Sequence, residues 1–98
     1  MRILESSYKT ASGVIFTGRG MIYDVLIGTD GTNDVALTIY DGLSATNTKE
    51  ILPTVTYDAS ALGLNGYTTP IGSKVTLGCY IAITCSGSCE VIIKWEKI

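Results

Sequence analysis

The sequence predicts an all-β protein, a small antiparallel β-sandwich of jelly-roll or Greek-key type with about seven or eight short strands. Apolar and polar residues alternate with a period of two along much of the chain, and no long segment carries a helical stripe of apolar side chains. Hydrophobic residues make up 46% of the chain and charged residues 16%, which indicates an ordered protein. We expect a single domain over residues 1–98.

Four strands are predicted most clearly, over residues 21–28, 35–41, 79–85 and 89–96. Their predicted core faces carry Met21, Tyr23, Val25 and Ile27; Val35, Leu37 and Ile39; Cys79, Ile81, Ile83 and Cys85; and Cys89, Val91, Ile93 and Trp95. The connections GTDGTND and SGS are rich in turn residues, so we expect the first two strands to form one hairpin and the last two another.

The other elements are less regular. Short strands are expected near residues 3–8, 14–17, 51–57 and 67–71. Pro53 and Pro70 favour edge strands or irregular pieces, because proline removes a donor from the sheet ladder. The segment DASALGLN can hold one helical turn that begins at Asp58 or Ser60 as an N-cap.

The stretch GTDGTNDVALTIYDG concentrates polar residues that could bind a metal, catalyse a reaction or form turns. An EF-hand calcium loop needs ligands at alternating positions, a glutamate at the twelfth and flanking helices, and Asp30, Asn33 and Asp34 do not fit that pattern. Turns are the preferred interpretation, with a looser oxygen site as the alternative. Asp41 is likewise interpreted as a turn former before Gly42.

Composition argues against several functions. The net charge is −2 and the seven basic residues are scattered, so nucleic-acid binding is not expected. No apolar run approaches the roughly 20 residues that span a bilayer. Histidine is absent, and no glycine-rich phosphate loop precedes a helix, so we expect no enzymatic activity and no cofactor.

Three cysteines, Cys79, Cys85 and Cys89, lie close together in the sequence. An odd number favours reduced thiols, and three thiols without histidine cannot complete a usual tetrahedral zinc site within one chain. Cys85 and Cys89 flank a three-residue turn, where we interpret them as small buried hydrophobic side chains. A redox or metal-binding pair, or a disulfide in an oxidising compartment, is the alternative.

The face opposite the predicted core is unusually apolar for a monomeric sandwich, which suggests an interface between subunits. The predicted interface residues are Ile22, Leu26, Tyr40, Tyr80 and Ile92, with Ala82 on the same face.

The runs GRGMIYDVLIGTDGTNDVALTIYDG, TYDASALGLNGYTTPIG and GCYIAITCSGSCEVIIKW resemble small virion proteins of tailed bacteriophages. The resemblance covers most of the chain from Gly13 onward. It implies a non-enzymatic structural role in head decoration or cementing, or in neck or tail accessory parts. It also implies a homo-oligomer, with a trimer favoured, that contacts other virion proteins such as the major capsid protein. Such a protein is made in the host cytoplasm and resides in the virion. The three clustered cysteines depart from this group.

Two other functions are considered. A glycan-binding or host-attachment module would use aromatic side chains to stack on sugars, and Tyr8, Tyr57, Tyr67 and Trp95 are the candidates. Trp95 is nevertheless expected in the core. A zinc- or redox-linked sensor would be built on the three cysteines.

Overall fold

The computed structural model describes residues 4–45, 49–59 and 67–98, with Tyr67 described by its backbone alone. Eight antiparallel strands follow in chain order: β1 Glu5–Lys9, β2 Gly13–Thr17, β3 Gly20–Thr29, β4 Val35–Asp41, β5 Glu50–Tyr57, β6 Tyr67–Val75, β7 Gly78–Cys85 and β8 Cys89–Lys97. The predicted all-β class and strand number are confirmed.

The strands form two four-stranded sheets. Sheet I has the order β1-β8-β3-β6, and sheet II has the order β2-β7-β4-β5. Four antiparallel pairs are nested along the chain: β1 with β8, β2 with β7, β3 with β6 and β4 with β5. This is the pairing of one long hairpin whose tip is the connection between β4 and β5. Rolling that hairpin up so that β3 meets β8 and β4 meets β7 gives a jelly roll.

The two hairpins predicted from sequence are wrong. Strand β3 lies in sheet I and β4 in sheet II, and β7 and β8 are divided in the same way. Alternation shows which side chains face the core but not which strand is the neighbour, and sheets about 10 Å apart can be bridged by a short loop. The sequential pair that does form a ladder is β4 with β5, in the region where the sequence pattern is weakest.

The prediction for the two prolines is confirmed. Pro53 lies in β5 and Pro70 in β6, and these strands form edges of sheet II and sheet I. An edge strand can lose a ladder donor without leaving a buried carbonyl unpaired. The helical turn predicted in DASALGLN lies mostly outside the described residues. Within the described ranges, no helix is long and apolar enough to cross a membrane.

A bulge in β3 corrects the predicted core face of that strand. Its register shifts between Ile22 and Asp24 against both neighbouring strands. The extra residue reverses the alternation, so Ile22 joins Val25 in the core while Tyr23 turns outward and donates a 2.6 Å hydrogen bond to Glu96 Oε1. Ile22 is fully buried, and the prediction that it lies on an outer interface is therefore wrong.

The core lies between the two sheets. Its fully buried side chains come from both of them: Ile22, Val25, Ile27, Val75, Val91 and Ile93 from sheet I, and Val35, Leu37, Ile39, Cys79 and Ile81 from sheet II. At one side Phe16 of sheet II stacks on Trp95 of sheet I, with ring centroids 4.4 Å apart. The predicted core faces of β4, β7 and β8 are confirmed, and the two sheets form one hydrophobic unit.

Candidate functional site

The aspartate-rich loop between β3 and β4 is organised around the Asp30 carboxylate. Oδ1 accepts hydrogen bonds from the backbone amides of Thr32 at 2.9 Å and Asn33 at 2.8 Å. Oδ2 accepts from Asn33 Nδ2 at 2.9 Å and from the Ser88 amide at 3.1 Å. The donors on Asn33, followed by the amides of Thr32 and Ser88, hold the pKa of Asp30 well below its usual range. These contacts confirm that the segment is a turn.

The other two aspartates of this stretch also accept hydrogen bonds from backbone amides outside the strands that carry or follow them. Asp34 Oδ1 accepts a 2.9 Å hydrogen bond from the Ala59 amide. The Asp41 carboxylate accepts from the amides of Leu77 at 2.9 Å and Thr76 at 3.1 Å, in the connection between β6 and β7. Burial alone would raise the pKa of Asp41, but these amides outweigh it and the pKa is lowered.

Metal binding was the main alternative for these residues. No group of three or more cysteine, aspartate or glutamate side chains suited to a metal occurs in residues 4–45, 49–59 and 67–98. The carboxylates of Asp30, Asp34 and Asp41 each accept backbone hydrogen bonds, which accounts for their presence in the sequence.

The remaining predicted interface residues fall on two opposite outer surfaces of the sandwich. Tyr40 and Tyr80 are paired on sheet II, with ring centroids 6.2 Å apart. Leu26 and Ile92 are paired on sheet I. Tyr40 is only 7% exposed, so Tyr80 is the more accessible of the two tyrosines. The five candidates therefore do not form one patch.

The outer face of sheet II is free of charged side chains over its centre. We define this neutral face by the outward residues of its strands, which are Val14, Ala36, Thr38, Tyr40, Thr54, Thr56, Tyr80, Ala82 and Thr84. Thr38 and Thr54 satisfy each other through a 2.6 Å hydroxyl contact, so Thr38 is buried without an unpaired group. The charged residues in the strands of sheet II are Asp41, which is tied to the β6–β7 loop, and Glu50, which is exposed and pairs with Tyr40 at the β5 edge of this face.

Sheet I has a different outer surface. Its strands carry eight charged residues: Glu5, Lys9, Asp24, Lys74, Glu90, Lys94, Glu96 and Lys97. Tyr8, Ile92 and Leu26 lie in one row across three strands. Asp24 and Lys94 form the next outward-facing pair along β3 and β8, so this apolar row is narrow and bordered by charge.

The neutral face includes residues that the sequence prediction did not select, notably Val14 and Thr38. The signal that could have found them is the lack of lysine, arginine, aspartate and glutamate over residues 13–17, 35–40 and 78–85. A soluble sheet usually places polar and charged residues on its solvent side.

The aromatic residues proposed for glycan stacking are mostly unavailable. Tyr57 is 5% exposed and its hydroxyl lies 2.9 Å from Thr69 Oγ1. Trp95 stacks on Phe16 and donates a 2.9 Å hydrogen bond to Ser7 Oγ. The side chain of Tyr67 lies outside the described residues. Tyr8 is 57% exposed, so it is the candidate that could meet a ligand.

Tyr8 borders a shallow hollow at the end of the sandwich where β8 begins. The hollow has a volume of about 360 Å³ and is lined by Tyr8, Thr10, Gly87, Ser88, Cys89 and Glu90. An adjoining depression of about 250 Å³ shares the last three of these residues and extends to Gly28, Thr29 and Asp30. This end therefore combines one exposed aromatic ring with carboxylates.

No protein-family model matches this sequence, and no curated protein matches it either. The resemblance to phage virion proteins consequently rests on the sequence motifs alone and stays a prediction.

Proposed function

We propose that the chain is a non-enzymatic structural subunit of a bacteriophage particle, which stabilises or decorates the capsid, or the neck or tail, through its neutral face. The observation that carries this proposal is the charge-free centre of the sheet II outer face. The cores of protein interfaces are depleted of charged residues and enriched in tyrosine. The phage assignment itself comes from the sequence resemblance, which also favours a trimer.

A second copy of the chain is the first partner proposed for this face, and a neighbouring virion protein is the second. Copies of a neutral surface can approach without repulsion between like charges, and most soluble oligomers are built from identical subunits. Sheet I, by contrast, would have to remove the charges of Asp24 and Lys94 from water before its apolar row could be covered, which costs free energy.

The proposal of a non-enzymatic role is supported by the structural contacts of two carboxylates that could otherwise act in catalysis. The carboxylates of Asp30 and Asp41 are occupied by backbone amides. The sequence supplies no histidine as a general base.

Footprinting with hydroxyl radicals over a range of protein concentrations tests the interface. Tyr80 lies on the neutral face, and Tyr8 on sheet I is the matched control. We expect the oxidation of Tyr80 to fall several-fold as subunits assemble, while that of Tyr8 stays constant. Equal reactivity of Tyr80 at all concentrations, or selective protection of Tyr8, contradicts the proposal.

The phage assignment has a separate test. The genes on either side of this one should encode head, neck or tail proteins if the chain belongs to a particle. Neighbours that encode only metabolic enzymes would contradict this part of the proposal without affecting the interface.

Glycan binding is the second candidate, favoured by the exposure of Tyr8 beside Glu90 in the 360 Å³ hollow. An aromatic ring can stack on a sugar while a carboxylate accepts hydrogen bonds from the sugar hydroxyl groups. A glycan array with the native chain and with Tyr8→Ala tests this function. Binding lost in the variant supports it, and an array without signal for the native chain removes it.

A further inference from the structure

The thiols of Cys85 and Cys89 meet across the gap between the two sheets. Cys85 ends β7 in sheet II, and Cys89 begins β8 in sheet I. Their Sγ atoms are 2.7 Å apart. A disulfide bond is about 2.05 Å long, so an approach of about 0.7 Å brings these sulfurs to bonding distance.

The surroundings of the two thiols differ. Cys85 is half-buried, and its thiol can donate either to Cys89 Sγ or to the Gly87 carbonyl oxygen at 3.3 Å. Cys89 is only 5% exposed, with Sγ 3.9 Å from the Thr10 carbonyl oxygen. An oxidant in solution therefore reaches Cys85 more easily than Cys89.

Cys79 is placed to remain outside this chemistry. It is fully buried and lies six positions before Cys85 along the same strand, which corresponds to roughly 20 Å in an extended chain. Burial, together with the charge of Asp41, raises the pKa of Cys79 to about 12, which keeps the thiol protonated.

We propose that Cys85 and Cys89 form a reversible disulfide that fastens sheet I to sheet II at this end of the sandwich when the chain meets a small-molecule disulfide such as oxidised glutathione. This inference does not depend on the proposed function.

The reaction proceeds by two thiol–disulfide exchanges. The Cys85 thiolate attacks one sulfur of oxidised glutathione, breaking its S–S bond and releasing one glutathione thiolate, which takes up a proton. Cys89 then loses its proton to solvent and attacks Cys85 Sγ, and the second glutathione leaves as a thiolate that takes up a proton. Two protein thiols are oxidised to one disulfide, and one glutathione disulfide is reduced to two thiols. Burial, followed by the interaction with the neighbouring Cys85 sulfur, raises the pKa of Cys89 to about 12, which supports Cys85 as the first nucleophile.

Closure would hold the loop of residues 86–88 in place. The Ser88 amide in this loop donates to Asp30 Oδ2, and a Cβ added to Gly87 would overlap the Asp30 carboxylate and the Asn33 amide. The loop is thus packed against the β3–β4 turn. The disulfide would therefore restrain both loops at once.

The experiment treats the reduced chain with oxidised glutathione, then unfolds it and alkylates the remaining thiols. Tryptic cleavage after Lys74 and Lys94 gives a peptide of residues 75–94 that holds all three cysteines. We expect one alkylated cysteine, Cys79, a mass lower by two hydrogens in the remainder, and no fragment ions from cleavage between Cys85 and Cys89. The Tm of the oxidised chain should rise, and dithiothreitol should restore three alkylated thiols.

Three variants separate the steps. Cys79→Ala should close the disulfide like the native chain. Cys89→Ala should retain one glutathione on Cys85, whereas Cys85→Ala should acquire it far more slowly. Three alkylated cysteines in the treated native chain, a bridge that includes Cys79, or a persistent glutathione adduct on the native chain would each overturn the proposal.

Discussion

The backbone amide of Ser88 donates a 3.1 Å hydrogen bond to Oδ2 of Asp30 and so joins the loop that precedes β8 to the loop that precedes β4. Both loops cross from one sheet to the other at the same end of the sandwich. A single carboxylate therefore helps to set the geometry of two crossings.

Asp30→Asn should destabilise the fold in a pH-dependent way. The amide group would place a donor opposite the donors of Asn33 and Ser88. Because the folded pKa of Asp30 lies below the unfolded value of about 3.9, the carboxylate stabilises the fold fully above that value. This contribution is lost as the pH falls through the folded pKa. Urea unfolding should show the largest gap between native chain and variant near neutral pH, with a narrowing gap below about pH 4. A gap that stays constant down to pH 3 would contradict this role.

Gly87→Ala should destabilise the fold by about 1–3 kcal/mol through overpacking. The added methyl group would overlap the Asp30 carboxylate and the Asn33 amide, which are held by their own hydrogen bonds. Gly28→Ala is the matched control, because its Cβ would meet Glu90 at an ordinary 3.7 Å. Thermal or urea unfolding measures both, and equal losses would show that the two loops are not tightly packed.

Ile22→Ala should cost about 2–5 kcal/mol in the free energy of unfolding, as expected for a fully buried aliphatic side chain. Leu26→Ala should cost clearly less, because Leu26 lies beyond the β3 bulge on the outer face and is only half-buried. Denaturant unfolding at low protein concentration compares the two. The reverse order would mean that β3 keeps an unbroken alternation.

The sequence pattern predicted the fold class because burial between two sheets imposes a period of two. The inward positions of β4, β7 and β8 agree with the structure, as do the edge positions of Pro53 and Pro70. Proline is informative without knowledge of partners, because its missing N–H group restricts it locally.

Strand partners could not be predicted from the same pattern. A turn such as SGS between two amphipathic strands fits a hairpin and a crossing between sheets equally well, because both reverse the chain over a short distance. The choice depends on which strands far away in sequence pair with each edge, as β1 and β3 do with the two edges of β8. This information is not local.

The interface prediction failed at Ile22 for a local reason. A bulge adds one residue to one strand, and every side chain before it then points to the opposite face from the one a regular alternation predicts. No glycine or proline marks the bulge in the stretch MIYDV. By contrast, the lack of charged residues in the strands of the neutral face can be read from the sequence. Only the structure shows that these strands belong to one sheet.

The native mass of two matched lysine variants tests the proposed assembly most directly. Ala82→Lys places a charge at the centre of the neutral face, opposite Thr38, whereas Thr68→Lys places one on the outer side of sheet I, opposite Leu26. Circular dichroism confirms that both variants fold. We predict that the native chain and Thr68→Lys give the mass of an oligomer, three times 10.4 kDa for the favoured trimer, and that Ala82→Lys gives a single chain. A native chain that is monomeric at every concentration, or an Ala82→Lys variant that keeps the oligomer, would contradict the account.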